Sequence, residues 1–186
     1  MALFSVESVL QMLYDNEPML KLADAAAHER HANAVLEKLA KTLGASPVPT
    51  FDIFLSHAYA DAHLILGIYY GLTRTKFSVY VDWIYDPQLN RNSVNAKTAN
   101  TVRGRIKQSK SLLFVTTPNS PASKWMPWEC GVMDGYKGKV AILPVITQQP
   151  QTYQGQEYLG ICPYIDSNLD VHTPGSQREQ LANWIK

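Results

Sequence analysis

The stretch FDIFLSHAYAD, residues 51–61, is the clearest signal of the fold, because it joins an apolar run to a polar loop and the start of a helix. Its first six residues predict a strand. Asp61 is placed to cap the following helix, whose apolar face runs from Leu64 to Leu72. A second run, SLLFVTT (111–117), is almost entirely apolar, as expected of a strand that is buried on both faces of a parallel sheet.

Short apolar runs alternate with helical patterns along the rest of the chain. The further predicted strands are FSVYVDW (77–83), KVAILPVI (139–146) and YLGICPYI (158–165). One helix is predicted before SLLFVTT, ending near Ser109, and another after it. This alternation predicts an α/β fold with a doubly wound, parallel, five-stranded sheet. We expect the flavodoxin-like strand order 2-1-3-4-5.

The first quarter of the chain has a different pattern. Apolar residues recur at helical spacing within residues 1–44, and Pro18 interrupts them. Gly44 is a helix stop signal, and ASPVPT (45–50) is typical of a proline-broken linker. We therefore predict a helical extension of residues 1–44, a linker of residues 45–50 and an α/β domain of residues 51–186.

Charge and composition argue against several classes of protein. The 17 basic and 16 acidic side chains give a formal charge of +1, so we expect no nucleic-acid partner. No apolar run approaches the roughly 20 residues needed to cross a bilayer, and the N-terminus lacks a signal-peptide pattern, so we expect a cytoplasmic protein without membrane contact. Cys130 and Cys162 form no CxxC pair, which favours a reducing compartment. The segment HERH (28–31) is one residue short of the zinc motif HExxH, so no metal site is predicted.

The segment SPASKWMPWECGVMDGYKG, residues 120–138, carries a lone carboxylate, Glu129, among indoles. Four large side chains recur at i, i+3, i+7 and i+11 and are predicted to face the core: Trp125, Trp128, Val132 and Tyr136. Glu129 borders this stripe. Two interpretations stay open at this point, a helix-surface glutamate without a task and a half-buried carboxylate that meets positive charge on a ligand.

The predicted strand order places Glu129 near a crevice. Open parallel sheets bind ligands at the carboxyl ends of the strands, where the strand order reverses. The loop SHAY (56–59) follows the first strand, and the loop TPNS (117–120) follows the third strand and leads into the helix of Glu129. These two segments are therefore expected to form opposite walls of one crevice.

Three segments in this order, FDIFLSHAYAD, FSVYVDW and SKWMPWECG, together resemble the Toll/interleukin-1 receptor (TIR) domain. The resemblance covers about residues 50–170 and does not explain the N-terminal helices. The first segment is similar to the opening motif of the family. The spacing of Ser123, Trp125 and Glu129 is similar to the segment that holds the catalytic glutamate of NAD-cleaving members.

The resemblance implies that Glu129 is the catalytic acid and engages the nicotinamide-side ribose. The substrate-binding residues that it implies follow the first strand, end the second strand or precede Glu129 by one turn: Ser56, His57, Asp82, Trp83 and Trp125. NAD+ would be a substrate rather than a bound cofactor, since the chain has no GxGxxG motif and no P-loop. Ala58 and Tyr59 stand where some members carry basic residues, so phosphate contacts would come from elsewhere, with Arg91 or backbone amides as candidates.

A single carboxylate is sufficient for this chemistry. Cleavage of the nicotinamide–ribose bond develops positive charge on the sugar, as in glycoside hydrolysis. Nicotinamide leaves as a neutral molecule and needs no protonating acid, while a carboxylate in a water-poor cleft stabilises the sugar cation. Water, an internal adenine or ribose group, or another nucleophile would each give a different product, and the sequence does not choose among them.

The architecture resembles the stand-alone bacterial TIR proteins of Thoeris antiphage systems. That resemblance implies an NAD+-cleaving enzyme that makes an ADP-ribose-derived signal, assembles with other TIR domains and serves a separate effector that senses the product. The main alternative is a non-catalytic scaffold that acts by TIR–TIR assembly, and a third is a flavodoxin-like nucleotide binder without turnover. The loop YDPQLNRNSVN lacks the glycine common in animal members, which puts loop-mediated assembly in question.

Overall fold

The computed structural model describes residues 3–22, 24–43, 50–89, 95–147, 157–176 and 178–186. Its strands are, in chain order, β1 (Phe4–Ser5), β2 (Phe51–Ser56), β3 (Val79–Tyr80), β4 (Ser109–Thr116), β5 (Val140–Ile146), β6 (Tyr164–Ile165), β7 (Asp170–His172) and β8 (Glu179–Gln180). Its α-helices are α1 (Val6–Asn16), α2 (Ala25–Leu43), α3 (Ala62–Arg74), α4 (Asp82–Tyr85), α5 (Ala96–Gln108), α6 (Trp125–Lys137) and α7 (Leu181–Trp184). None of the helices in these ranges is long and apolar enough to cross a membrane.

The strands form one mostly parallel sheet in the order β3-β2-β4-β5-β6-β7-β8, and β1 pairs with β5. The first five strands of this order are parallel to one another. Numbered from β2, they stand in the order 2-1-3-4-5, which confirms the flavodoxin-like prediction. The sheet is larger than the five strands predicted, because β7 and β8 extend it with antiparallel pairs.

The sheet is buried on both faces, as the apolar runs predicted. Alternate residues of β4 enter different apolar clusters: Leu113 belongs to one, and Leu112 to the other. The first cluster also contains side chains of α1, α2, α3 and α7, while the second contains side chains of α5 and α6. Helices therefore cover the sheet on both sides, which is the doubly wound arrangement.

Two predicted strands are shorter in the structure. The run 77–83 contributes only Val79–Tyr80, because the chain turns into α4 directly afterwards. The amides of Ile84 and Tyr85 donate to the carbonyl of Val81 at 3.0 and 3.1 Å, which closes a helical turn where a continued strand was expected. The run 158–165 contributes only β6, since a 3₁₀-helix occupies its first part.

The N-terminal helices share the core of the α/β domain. Phe4 of β1 pairs in parallel with Val145 of β5, and α1 packs on α3. Most of the predicted linker, residues 45–50, lies outside the described residues, and the division of the chain there stays a prediction. In the HERH segment, His28 lies 2.7 Å from the carbonyl oxygen of Leu20 and His31 lies 3.1 Å from a carboxylate oxygen of Glu17, so both histidines join α2 to the preceding turn.

Gly67 marks the closest approach between α1 and α3. A Cβ atom at this position would lie 2.4 Å from the carbonyl oxygen of Val9 and 3.0 Å from its Cγ1. A distance of 2.4 Å to a backbone atom cannot be relieved by a side-chain rotation, so only glycine lets the two helices pack this closely.

We expect Gly67→Ala to lower the free energy of unfolding by about 1–3 kcal/mol, because the new methyl group would press on the backbone of α1. Gly104→Ala on α5 is the matched control. Its Cβ would meet nothing within 4 Å, so better helix propensity should raise the free energy of unfolding by about 0.5–1 kcal/mol. Urea denaturation followed by circular dichroism measures both values, and equal effects would mean that α1 does not pack on α3 in solution.

Candidate functional site

A cleft of about 440 Å³ opens where β2, β3 and β4 end. Its walls come from the segments that follow these three strands: His57, Ala58, Tyr59, Ala60, Asp82, Trp83, Asn119, Ala122, Ser123, Lys124 and Trp125. The cleft therefore lies at the carboxyl ends of the strands, beside the point where the strand order reverses. The sequence predicted a crevice at this place between the same two loops.

Glu129 lies on the buried face of α6 and is 1% exposed. The Ser56 hydroxyl, at the end of β2, donates a hydrogen bond of 2.6 Å to Oε2 of Glu129, and Ser56 is also 1% exposed. The interpretation of Glu129 as a helix-surface glutamate is therefore wrong. The carboxylate is buried and paired with the strand end that leads into the cleft.

The predicted core stripe of α6 is right for Trp128 and Val132, which pack partly buried against an apolar cluster, and wrong for Trp125 and Tyr136. The buried side chains of this helix are Met126, Glu129, Cys130 and Met133, at i, i+3, i+4 and i+7. Trp125 instead lines the cleft, and Tyr136 is 48% exposed. The true stripe is offset by one residue, about 100° around the helix, so Glu129 belongs to the core face that it was expected to border.

Four of the predicted site residues line the cleft, namely His57, Asp82, Trp83 and Trp125. Ser56 and Glu129 are not among the lining residues. Both are buried; Ser56 directly precedes the lining residue His57 in the chain, and Glu129 follows the lining residue Trp125 by one helical turn. Four of the six predicted site residues therefore line one cleft, and the remaining two, Ser56 and Glu129, form a buried hydrogen-bonded pair next to them in the chain. Arg91, a candidate phosphate contact, lies outside the described residues.

His57 and Asp82 form a buried polar contact between the ends of β2 and β3. Nδ1 of His57 lies 2.7 Å from the carbonyl oxygen of Leu55, and Nε2 lies 3.2 Å from Oδ1 of Asp82. Each of the two side chains is 4% exposed. Both ring nitrogens face oxygen atoms, an arrangement that a doubly protonated imidazolium satisfies with two donated hydrogen bonds.

Trp83 forms an aromatic wall of the cleft, and its position is fixed on several sides. Its backbone N–H donates to Oδ1 of Asp82 at 2.9 Å. Its ring meets those of His57 and Tyr59 nearly edge to face, with centroid distances of 4.4 and 5.5 Å. Asp82 and Trp83 begin a helix rather than end a strand, which corrects their predicted setting and leaves them at the cleft.

Asp61 joins the loop after β4 to the helix after β2. The hydroxyl of Thr117 donates to Oδ2 of Asp61 at 2.6 Å, and the side-chain amide of Asn119 donates to Oδ1 at 2.7 Å. Asp61 is 2% exposed and makes no side-chain cap of its helix, so the predicted capping role is wrong. No periodicity in the sequence reveals this contact, since the two segments are brought together only by the fold. Asn119 lines the cleft, so Asp61 fixes one of its walls.

Cys130, next to Glu129, is a buried thiol in the core of α6. A hydrogen bond to Cys162 and burial both raise the pKa of Cys130. The same contact lowers the pKa of Cys162. A thiol with a raised pKa stays protonated and is a poor nucleophile, in agreement with its expected packing role. Within the described residues, no cluster of three or more His, Cys, Asp or Glu side chains is arranged to hold a metal ion.

We expect Asp61→Asn to lower the free energy of unfolding by about 1–3 kcal/mol, because an asparagine presents one acceptor oxygen where the carboxylate presents two, so the hydrogen bond from Thr117 or from Asn119 is lost. Asp134→Asn, at an exposed position of α6, is the control and should change this energy by less than about 0.5 kcal/mol. Chemical denaturation measures both, and hydrogen exchange should show faster exchange after β4 in Asp61→Asn alone. Unchanged stability and exchange would mean that Asp61 does not hold the loop after β4 in place.

Comparison with known proteins identifies relatives of the chain. It is 37% identical over 196 residues to a Bacillus cereus (strain MSX-D12) protein named "Probable 3' cyclic ADP-D-ribose synthase ThsB'", and the match covers 100% of this chain and 99% of that protein. A Cytobacillus dafuensis protein named "Putative cyclic ADP-D-ribose synthase TIR2" is 38% identical over 80 residues, which are 42% of this chain and 21% of the relative. No protein-family model matches the chain.

A solved structure adds a likeness of fold. The TIR domain of the Toll-related receptor TRR-2 from Hydra magnipapillata aligns with a TM-score of 0.47 and 17% identity, over 64% of this chain and 86% of that domain. The family assignment rests on the full-length match to the Bacillus cereus protein, which includes the N-terminal helices and the segments of the site. The chain belongs to the bacterial Thoeris-type TIR family.

Proposed function

We propose that this protein cleaves the nicotinamide–ribose bond of NAD+ and closes the remaining ADP-ribose into a cyclic signal for antiphage defence. One observation carries the proposal: a buried carboxylate, Glu129, accepts a hydrogen bond from Ser56 directly behind a cleft at the ends of the parallel strands. The full-length relative from Bacillus cereus, named as a probable 3' cyclic ADP-D-ribose synthase, supports the same activity.

The cleavage step requires a group that stabilises a sugar cation. As the bond between C1 of the ribose and the nicotinamide nitrogen breaks, both bonding electrons leave with nicotinamide, which becomes neutral. The ribose is left with oxocarbenium-like positive charge. The Glu129 carboxylate lies in a site of low exposure, where its field is screened less than in water. We therefore assign Glu129 as the group that stabilises the positive charge on the ribose.

Ser56 acts on the reaction through Glu129 and is a positioning residue. Its hydroxyl donates to one carboxylate oxygen at 2.6 Å and so restricts the rotation of the side chain. A carboxylate held in one orientation needs little reorganisation when charge develops on the substrate. The aromatic rings of Trp83 and Trp125 in the cleft wall offer flat faces on which nicotinamide stacks.

Ring closure follows when C1 of the ribose bonds to a nucleophilic group of the adenosine half of the same molecule. The proton that this group loses passes to the Glu129 carboxylate. Water at the same position would give linear ADP-ribose, so the site must favour the internal nucleophile by proximity. We further propose that the protein acts in the cytoplasm, assembles with other TIR domains and supplies its product to a separate effector.

A non-catalytic TIR scaffold is the second candidate, and the burial of Glu129 is the observation that favours it. A side chain that is 1% exposed cannot touch a ribose unless the residues around it move. In the enzyme this movement would accompany substrate binding or assembly, whereas a scaffold needs none. Release of nicotinamide distinguishes the two functions directly.

We expect Glu129→Gln to lower the rate of nicotinamide release at least about 100-fold, because the neutral amide cannot stabilise the ribose cation. The fold should persist, since the amide oxygen still accepts from Ser56. Glu7→Gln makes the same change at an exposed position of α1 and should leave the rate unchanged. Mass spectrometry of NAD+ incubations, with purified protein alone and with lysate of phage-infected cells, measures nicotinamide and identifies the nucleotide product.

The scaffold function is supported if neither wild type nor Glu129→Gln releases nicotinamide under any of these conditions while both still bind TIR domains. A wild type that yields only linear ADP-ribose would keep the cleavage step and contradict ring closure. Equal rates for wild type and Glu129→Gln would remove Glu129 from the reaction.

We expect Ser56→Ala to lower kcat by about 10- to 100-fold with a smaller change in KM, because a hydrogen bond to a charged group contributes about 1.5–3 kcal/mol. Ser111→Ala is the matched control. Its buried hydroxyl donates to the backbone carbonyl of Asp52 at 2.9 Å instead of to the carboxylate, so its kcat should stay near that of wild type. Steady-state kinetics of nicotinamide release gives both constants, and a rise in KM alone would contradict the positioning role.

A further inference from the structure

A second cavity, of about 530 Å³, lies beside the cleft, and we call it the α2 cavity. One wall is a face of α2 that includes Leu36, Glu37, Ala40 and Lys41. The opposite wall includes Tyr59 and Trp83, which follow β2 and β3. Each of the two cavities is within the range of about 300–1,000 Å³ that is usual for small-molecule sites. The α2 cavity is therefore large enough for part of a nucleotide.

The cleft and the α2 cavity share Tyr59 and Trp83 as lining residues. The two rings meet edge to face, with a centroid distance of 5.5 Å and an angle of 86°. Tyr59 is 74% exposed, an unusual setting for a large aromatic side chain. The two cavities are thus neighbours across a pair of aromatic rings, whose uncovered surface is suited to stacking with a flat base.

The charges around the two cavities suit a dinucleotide. Glu37 and Lys41 lie one helical turn apart on α2, and Lys124 lies in the wall of the cleft. Among the residues that the structure describes, neither lysine has an ion-pair partner. An ammonium group binds a diphosphate, and a carboxylate accepts hydrogen bonds from ribose hydroxyls. Ala40 and Leu36 supply apolar surface between these charges.

We propose that the α2 cavity binds the adenosine diphosphate half of NAD+, while the cleft holds the nicotinamide ribose. This inference rests on the proposed function. Because Tyr59 and Trp83 line both cavities, a dinucleotide that fills both passes over this pair of rings. Its adenosine half is then held near the reacting ribose, which is the proximity that ring closure requires.

The test measures the binding of each half of the substrate to the full chain. Isothermal titration calorimetry with ADP and, separately, with nicotinamide mononucleotide is carried out on wild type and four variants. Ala40→Trp fills the α2 cavity, and Ala34→Trp places the same ring on an exposed face of α2. Lys41→Gln removes the charge at the cavity, and Lys38→Gln removes an exposed charge that does not line it.

We expect Ala40→Trp to weaken ADP binding at least about tenfold and Lys41→Gln to weaken it about three- to tenfold. Ala34→Trp and Lys38→Gln should bind ADP as wild type does, and all four variants should bind nicotinamide mononucleotide normally. Thermal unfolding of each variant verifies that it is folded.

Equal ADP affinity of Ala40→Trp and Ala34→Trp, or no ADP binding by wild type, would overturn the assignment. If wild type still releases nicotinamide in that case, the proposed function stands and only the subsite is lost. Conversely, ADP binding that Ala40→Trp blocks, together with no release of nicotinamide by wild type, keeps a nucleotide site on α2 and removes the proposed function. A change in oligomeric state of Ala40→Trp without a change in ADP binding would make the cavity a contact between copies of the chain, against the proposal.

Discussion

The hydrogen bond between Ser56 and Glu129 is the contact on which the site depends, because it joins residues 73 positions apart in a region that excludes water. A carboxylate without a partner is costly in an apolar environment. The Ser56 hydroxyl at the end of β2 supplies such a partner to Glu129 on α6. An apolar side chain of similar volume would often be neutral or stabilising at such a position, so packing does not explain the glutamate. The proposed function supplies a reason, because this carboxylate would stabilise the ribose cation.

Much of the fold could be predicted because its signals are local. The central strands of the sheet are continuous apolar runs, which is the pattern of strands that are buried on both faces. The errors arise where a tertiary contact overrides the local pattern. The apolar alternation of residues 77–83 gives no sign that the chain turns into a helix at Asp82, where His57 holds the carboxylate from another strand. A two-residue strand such as β1 is too short to have a period and is defined only by its partner, β5.

The site shows the same division between local and tertiary information. Two stripes on α6 satisfy helical spacing: one follows Trp125 and the large aromatics, and the other follows Met126 and Met133. They differ by a rotation of about 100°, and spacing alone cannot choose between them. The smaller and more flexible methionine side chains pack in the core, and Trp125 lies in the wall of the cleft. Motif resemblance pointed to Glu129, whose catalytic role stays a prediction, whereas no motif contains Tyr59 or α2, so the sequence did not point to the cavity that they line.

The position of α2 beside the cleft affects which product the proposed reaction gives. A ribose cation is captured by whichever nucleophile is held closest, so the wall that surrounds it matters as much as the carboxylate that stabilises it. Ala32 and Leu36 anchor α2 in the same apolar cluster as the sheet, and the residues of its cavity face therefore stand on a rigid element. A preformed wall costs little ordering free energy when the adenosine half binds. Under the proposed arrangement, ring closure rather than hydrolysis depends on both ends of the site, since Glu129 stabilises the ribose cation and α2 holds the adenosine half within reach of it.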